Sequence, residues 1–504
     1  MKARTRTTIF TALVVILLLA GTSIVLTGCT STPVSESVRM DNEERPVLEF
    51  EGFTQMMISS VNTKSELGAH GIPELEELTI PISVKQFDLV TFNVTDLRNR
   101  IQKGSVSLRI KGNSYDAELK RTEFDIRSVD NGIYSYRGTL KGVNDGRIAL
   151  TISSRAVIAE VTIGDESIWV KPVEPRKRMK GGEHRLHIVY SSKDTELPTR
   201  HGKIDNGPVR LSSQTPTEEI RALEVATSGS TTPVELLVAT DNKFYEDEDD
   251  WELTAQGIID EANNQFNRDD IDLNLLVVDY DKSKRHNLSN DPDIKSKPLD
   301  TFKKHFPTSY LDSKSADLAI YLGGYDADGN THGETWPYLG GRHAWAQMVK
   351  DWYLGGWTYD GSPHGRRVTT IHELGHFFYA DHEGSAGYRQ AYDWWSGLNH
   401  YYTVMWSTNK GSNGKYEFSS DDYNGDSTHD NARRINETKG VVANYNIDDN
   451  GTPCNPWDDD GIITASEIMS AITLWSAQTP PAPGCDLLTA SDIISMITTW
   501  SNQS

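Results

Sequence analysis

The chain has 504 residues, too many for one hydrophobic core; at about 100–200 residues per domain it predicts roughly three domains. With 24% charged and 37% hydrophobic residues it has the balance of a soluble globular protein beyond its N-terminus. Its net charge of −22 excludes nucleic acid as the main partner, because neutralising phosphates needs clustered Lys and Arg. The acidic run Glu246 to Asp250 reads as a solvated face rather than a metal site.

Residues 1–29 read as a targeting segment. Lys2, Arg4 and Arg6 precede an almost uncharged apolar stretch from Ile9 to Thr27. Leu26-Thr27-Gly28-Cys29 resembles the lipobox of prokaryotic lipoproteins, which implies lipidation of Cys29. An uncleaved transmembrane anchor is the alternative, since the stretch nearly spans a bilayer. Either reading anchors the chain to a membrane and places the remainder outside the cytoplasm.

Residues 30–172 open with a polar tether and then alternate as strands do. The clearest runs are Ser105 to Ile110, Ile133 to Leu140 and Arg147 to Ile152, with turn signals at Asn131-Gly132 and Asp145-Gly146. A β-rich domain ahead of a protease resembles the propeptides of reprolysin-like metallopeptidases; a surface-binding β domain is the plain alternative. Residues 173–232 are polar, carry the basic run Arg176-Lys177-Arg178, and read as a linker with a candidate processing site.

From residue 233 to 445 the texture is α/β. Val234 to Ala239, Leu273 to Val278 and Asp317 to Leu322 read as strands, and Leu253 to Asn267 as an amphipathic helix. The chemistry lies in the segment His372-Glu373-Leu374-Gly375-His376. Residues four apart share a helix face, so His372 and His376 can reach one metal ion. Imidazole ligates zinc at about 2.0–2.1 Å, and three protein ligands leave a position open for water. Glu373, offset by one residue, suits a general base acting on that water.

Two further residues carry a family resemblance. His382 stands ten positions after His372, and Met405 follows downstream in Tyr401-Tyr402-Thr403-Val404-Met405-Trp406. Together with the helical motif these resemble the metzincin zinc endopeptidases, and Gly333-Glu334-Thr335-Trp336 resembles the reprolysin branch. The resemblance implies an α/β (α+β) catalytic domain with a mixed sheet. It also implies Zn2+ on His372, His376 and His382, Glu373 as base, Met405 as support beneath the site, and a protein or peptide substrate. Glu417, in Glu417-Phe418-Ser419-Ser420-Asp421, is the rival third ligand, as gluzincin peptidases would use it. A non-catalytic surface scaffold with a degenerate protease fold is the other class of function.

Several positions depart from the metzincin pattern. Tyr379 stands where the family has glycine. A bulky residue in the left-handed region costs about 1–2 kcal/mol, so the turn is expected at Asp381, with the helix ending between Phe378 and Asp381. Ser407 occupies the place of the tyrosine ligand of some branches, and apart from Cys29 the N-terminal domain has no cysteine for a cysteine switch. His343, His364 and His400 read as structural histidines, and Trp394, Trp395 and Trp406 as core or cleft wall.

Residues 446–504 contain a repeat: Ile463 to Ser476 recurs as Leu488 to Ser501. Each copy begins like a capped helix. Asp458, Asp460 and Glu467 resemble the end of an EF-hand loop, and the paired units resemble dockerin modules. The implied features are a small α-helical module, Ca2+ in the first loop and a cohesin-like partner. Cys454 and Cys485 are candidates for a disulfide there. A plain helical hairpin is the alternative.

Overall fold

The computed structural model describes residues 47–446 except 63–65, 68–77, 79, 82, 123–130, 165, 174–184, 196–230, 249, 328–330, 336–340, 350–351, 355–356, 360–362, 386, 398 and 408–414, together with Ile468 and Ile472. The readings placed on Cys29, Cys454, Cys485, Asp458, Asp460 and Glu467 lie outside these residues. None of the described helices is long and apolar enough to cross a membrane.

The first half is one antiparallel sheet. Its strands are β1 (Leu48–Phe50), β2 (Thr54–Val61), β3 (Phe87–Phe92), β4 (Ser105–Ile110), β5 (Asn113–Arg121), β6 (Tyr134–Leu140), β7 (Arg147–Ile152), β8 (Val157–Ile163), β9 (Glu166–Pro172) and β10 (Leu186–Ser191), in the order β1-β4-β5-β6-β7-β8-β9-β10-β3-β2. Alternation dictates β4, where Val106, Leu108 and Ile110 are buried and their neighbours are not. Strands β7 and β8 are buried almost throughout, as expected for strands covered on both faces. The stretch read as linker needs correcting at its start. Residues 186–191 form β10, which pairs with β9 and β3 inside the sheet. The run His187-Ile188-Val189-Tyr190 is short but apolar enough to fill that slot.

The second half is built on a five-stranded sheet. Its strands are β11 (Thr232–Thr240), β12 (Leu273–Asp281), β13 (Leu318–Gly323), β14 (Gly333–Thr335) and β15 (His343–Gln347), in the order β12-β11-β13-β15-β14. All neighbours run parallel except β14, which pairs antiparallel with β15 at the sheet's edge. Three helices frame the region around the histidines: the long helix Trp251–Arg268, the histidine helix Pro363–Phe377 and the closing helix Asn431–Val442. The same half carries two hairpins, β16 (Trp352–Leu354) with β17 (Trp357–Tyr359), and β18 (Asp393–Ser396) with β19 (Asn399–Tyr402).

The core of this half joins the parallel strands to the long and histidine helices through residues such as Leu236, Ile259, Phe266, Ile371 and Leu374. The long helix is unusual in being buried almost all round, polar residues Gln256, Asp260, Glu261 and Gln265 included. An amphipathic surface helix keeps such residues in water. Here the ten-stranded sheet covers Asp260 and Glu261, while Gln256 bonds Tyr280 of β12 and Gln265 bonds Asp269 and Arg367.

Two local expectations are corrected. The acidic run is not merely solvated: Glu248 pairs with Arg366 at 2.7 Å, and Asp250 pairs with Arg155 and Arg185. Trp395, expected in the core or on a cleft wall, lies outside the core, being 66% exposed and stacked on His400 with ring centroids 4.4 Å apart.

Candidate metal centre

The histidine helix ends at Phe377, one residue before the expected interval. The left-handed turn falls on Tyr379 (φ +66°) rather than on Asp381. The amide of Ala380 donates to the carbonyl of Gly375 at 3.2 Å, and that of Tyr379 donates to the carbonyl of His376 at 3.0 Å. This is a Schellman cap, whose left-handed position is usually glycine. The closing helix holds the strained residue in place. Thr438 Oγ1 donates to the carbonyl of Phe378 at 2.7 Å, and Arg434 lies over the Tyr379 ring at 5.1 Å. Tertiary packing outweighs the local cost.

The reversal brings His382 back to the helix. The Nε2 atoms of His372, His376 and His382 lie 3.0, 3.0 and 3.1 Å apart, and all three side chains are buried. Among the described residues they are the group that can hold a metal ion. Nδ1 of His372 lies 2.8 Å from the carbonyl oxygen of Val404, and Nδ1 of His376 lies 2.8 Å from that of Ala380. A carbonyl oxygen only accepts, so both Nδ1 atoms carry the proton. Burial pushes the His376 imidazole down to about 4 and, with the two neighbouring histidines, holds His372 well below its usual value. Both rings are therefore neutral at pH 7, and their Nε2 lone pairs point at one another. Two lone pairs at this distance repel unless a cation lies between them. Ligands at about 2.05 Å in a tetrahedron are separated by about 3.3 Å, close to what the three nitrogens show. The donor set fits zinc.

Glu373 is fully buried beside this group. Thr335 Oγ1 donates to its Oε2 at 2.8 Å and lies 3.1 Å from its main-chain oxygen. A β-carbon on Gly333 would collide with the Glu373 carboxylate, so only glycine lets edge strand β14 pass this close. Met405 is buried beneath the helix, against Gly375. Its neighbour Val404 supplies the carbonyl that orients His372, which couples this turn to the ligand. Ser407 is held by Glu383: its amide donates to Glu383 Oε2 at 2.8 Å, tying the His382 loop to the Met405 turn.

Glu417 is occupied elsewhere. Its carboxylate accepts from Asn424 Nδ2 at 2.6 Å and faces Arg268 at 3.5 Å, and it is not part of the metal-capable group. His343 is a structural histidine bonded to the Phe306 carbonyl, and His400 pairs with Asp393. Sequence reasoning missed Thr335 and the two orienting carbonyls. The Gly-x-Thr spacing of β14 was the one available signal for Thr335, since it puts both residues on one strand face.

No family model matches the chain, and no curated protein matches it. Among solved structures, a chaperone–substrate complex aligns at 15% identity with a TM-score of 0.31, covering 44% of this chain and 36% of that one. Metalloproteinase-II from Bacteroides fragilis aligns at 12% identity with a TM-score of 0.39, covering 68% of this chain and 95% of that one. A metalloproteinase is thus among the chain's distant structural neighbours. Likenesses this partial carry no argument, and the reading of the site rests on its own residues.

Proposed function

We propose that the chain is a zinc-dependent endopeptidase whose metal is held by His372, His376 and His382. The observation that carries this reading is the set of three buried imidazole nitrogens about 3 Å apart, two of them with lone pairs fixed inward by carbonyl oxygens. A zinc ion there supplies Lewis acidity, lowering the pKa of water and stabilising a developing oxyanion. Glu373 is the base that takes the proton of the attacking water and returns it to the leaving amine. Thr335 steadies one carboxylate oxygen of that base. Strand β14 is last in the sheet order among the described residues, the position at which an extended peptide would add as a further strand. That geometry suits an endopeptidase, because an edge strand does not require a chain end.

The same reading places the protein outside the cytoplasm, anchored through Cys29 or an N-terminal membrane segment. Its terminal module, residues 446–504, docks a cohesin-like partner with Ca2+ at Asp458, Asp460 and Glu467. These parts are supported by sequence pattern alone.

Glu373→Gln tests the centre of the proposal. It should keep the zinc content of the parent and lose hydrolysis of an unstructured protein substrate by orders of magnitude. Metal-replete Glu373→Gln that still cleaves would remove the glutamate's role. Parent protein that binds no zinc would remove the reading altogether.

A further inference from the structure

The ten-stranded sheet is bonded to the half that carries the histidines through charges as well as apolar surface. Glu160 on β8 pairs with Arg367 on the histidine helix, both side chains only 2% exposed. Arg367 Nη2 also donates to Gln265 of the long helix at 3.2 Å. Lys171 on β9 pairs with the buried Glu261 at 2.7 Å. Asp260 accepts from Thr151 Oγ1 at 2.6 Å and from Ser135 Oγ. Asp250, which leads into the long helix, holds Arg155 and Arg185. The apolar part is a cluster of Ile133, Ala156, Ile158 and Leu253, and the helix approaches so closely that a β-carbon on Gly257 would meet Ile158 at 3.1 Å.

The direction of this grip matters. Arg367 precedes His372 by five residues, so at about 100° per residue it leaves the helix roughly 140° away from the histidine ligand. The sheet therefore holds the reverse side of the helix from the metal. Nothing in that placement requires the sheet to leave before the metal group can be reached. Parting the halves would instead expose Leu253 and Ile158 and break three sets of buried polar bonds.

We infer that the ten-stranded sheet is a permanent structural half of the metal-binding unit, not a propeptide that is released. Cleavage between the halves leaves them joined without a covalent link. The joint holds whether or not the protein is a peptidase.

The test is a full-length protein with a site-specific protease sequence inserted within residues 205–225 and an affinity tag at the C-terminus. After complete cleavage and dilution to nanomolar concentration, the fragment containing β1 to β10 should stay on the tag, co-elute in gel filtration and share one thermal transition with the remainder. Zinc content should match that of the uncut protein. Cut Gly257→Leu, which wedges the contact with Ile158, should release the fragment at lower denaturant than the cut parent. Elution of the N-terminal fragment alone from the cut parent would overturn the inference. A cut complex that stays together yet hydrolyses nothing would uphold it while counting against the peptidase reading.

Discussion

The sulfur of Met405 lies 2.6 Å from where a β-carbon on Gly375 would stand, and the ring of Phe418 lies 2.7 Å from the same point. Gly375 therefore serves contact, not flexibility. Gly375→Ala gains about 1 kcal/mol of helix propensity, but overpacking costs about 1–3 kcal/mol. The expected outcome is a lower melting temperature together with weaker zinc binding, because displacing Met405 moves the Val404 carbonyl that orients His372. Calorimetry and zinc titration of the same preparation check both. An alanine variant with unchanged zinc affinity would break the link between the turn and the ligand.

Thr335→Val removes the hydroxyl on Glu373 with little change of shape, and Thr335→Ser keeps it. The valine variant should lose kcat by roughly tenfold, the equivalent of one hydrogen bond of about 1.4 kcal/mol, with KM and zinc content unchanged. The serine variant should recover most of the rate. Equal rates for all three proteins would reduce Thr335 to a packing residue.

Tyr379→Gly restores the residue type that a left-handed cap usually takes. Relief of backbone strain is worth about 1–2 kcal/mol, whereas emptying the space of a buried ring costs about 3–5 kcal/mol. The loss should win, so the variant melts earlier than its parent yet still binds zinc. A higher melting temperature would show that the Arg434 contact and the burial of the ring contribute little.

Asp269 gives a pH signature away from the metal. Burial pushes its carboxyl up to about 8, while the amide of Phe418 and the side chain of Gln265 bond it at 2.8 and 2.9 Å. The folded state thus holds a proton that the unfolded chain releases near the ordinary value of 3.8. Between those values the unfolded state binds fewer protons, so stability falls as pH rises. Asp269→Asn keeps an acceptor for Phe418 and removes the titration. Its melting temperature should gain on the parent's steadily from about pH 4 to about pH 8; parallel curves would refute the assignment.

Much of the candidate site was legible because its three histidines lie within eleven residues of one another. His372 and His376 sit four apart on one helix, and the ten-residue step to His382 demanded a break that the structure makes. The position of the break was not legible. Backbone propensity pointed to Asp381, but the closing helix, over fifty residues later, favours Tyr379 through Thr438 and Arg434. The strands around Val106, Ile148 and Leu236 followed from alternation or apolar runs. Strand β10 did not, because its partners β3 and β9 decide its fate and its own sequence adjoins a polar stretch. Glu160 and Arg367 are separated by 207 residues, a pairing that no local pattern carries.

The apolar patch of Ile133, Ala156 and Ile158 also has a history within each molecule's synthesis. Strand β10 ends at Ser191, but the helix that covers the patch ends only at Arg268. At about 5–20 residues per second, those intervening residues take roughly 4–15 s to emerge. During that interval the nascent sheet presents its seam uncovered, beside Arg155 and Arg185, whose acidic partner Asp250 is still to be added. Crowding of translating chains, rather than heating of the finished protein, is then the condition under which this fold is most exposed to aggregation.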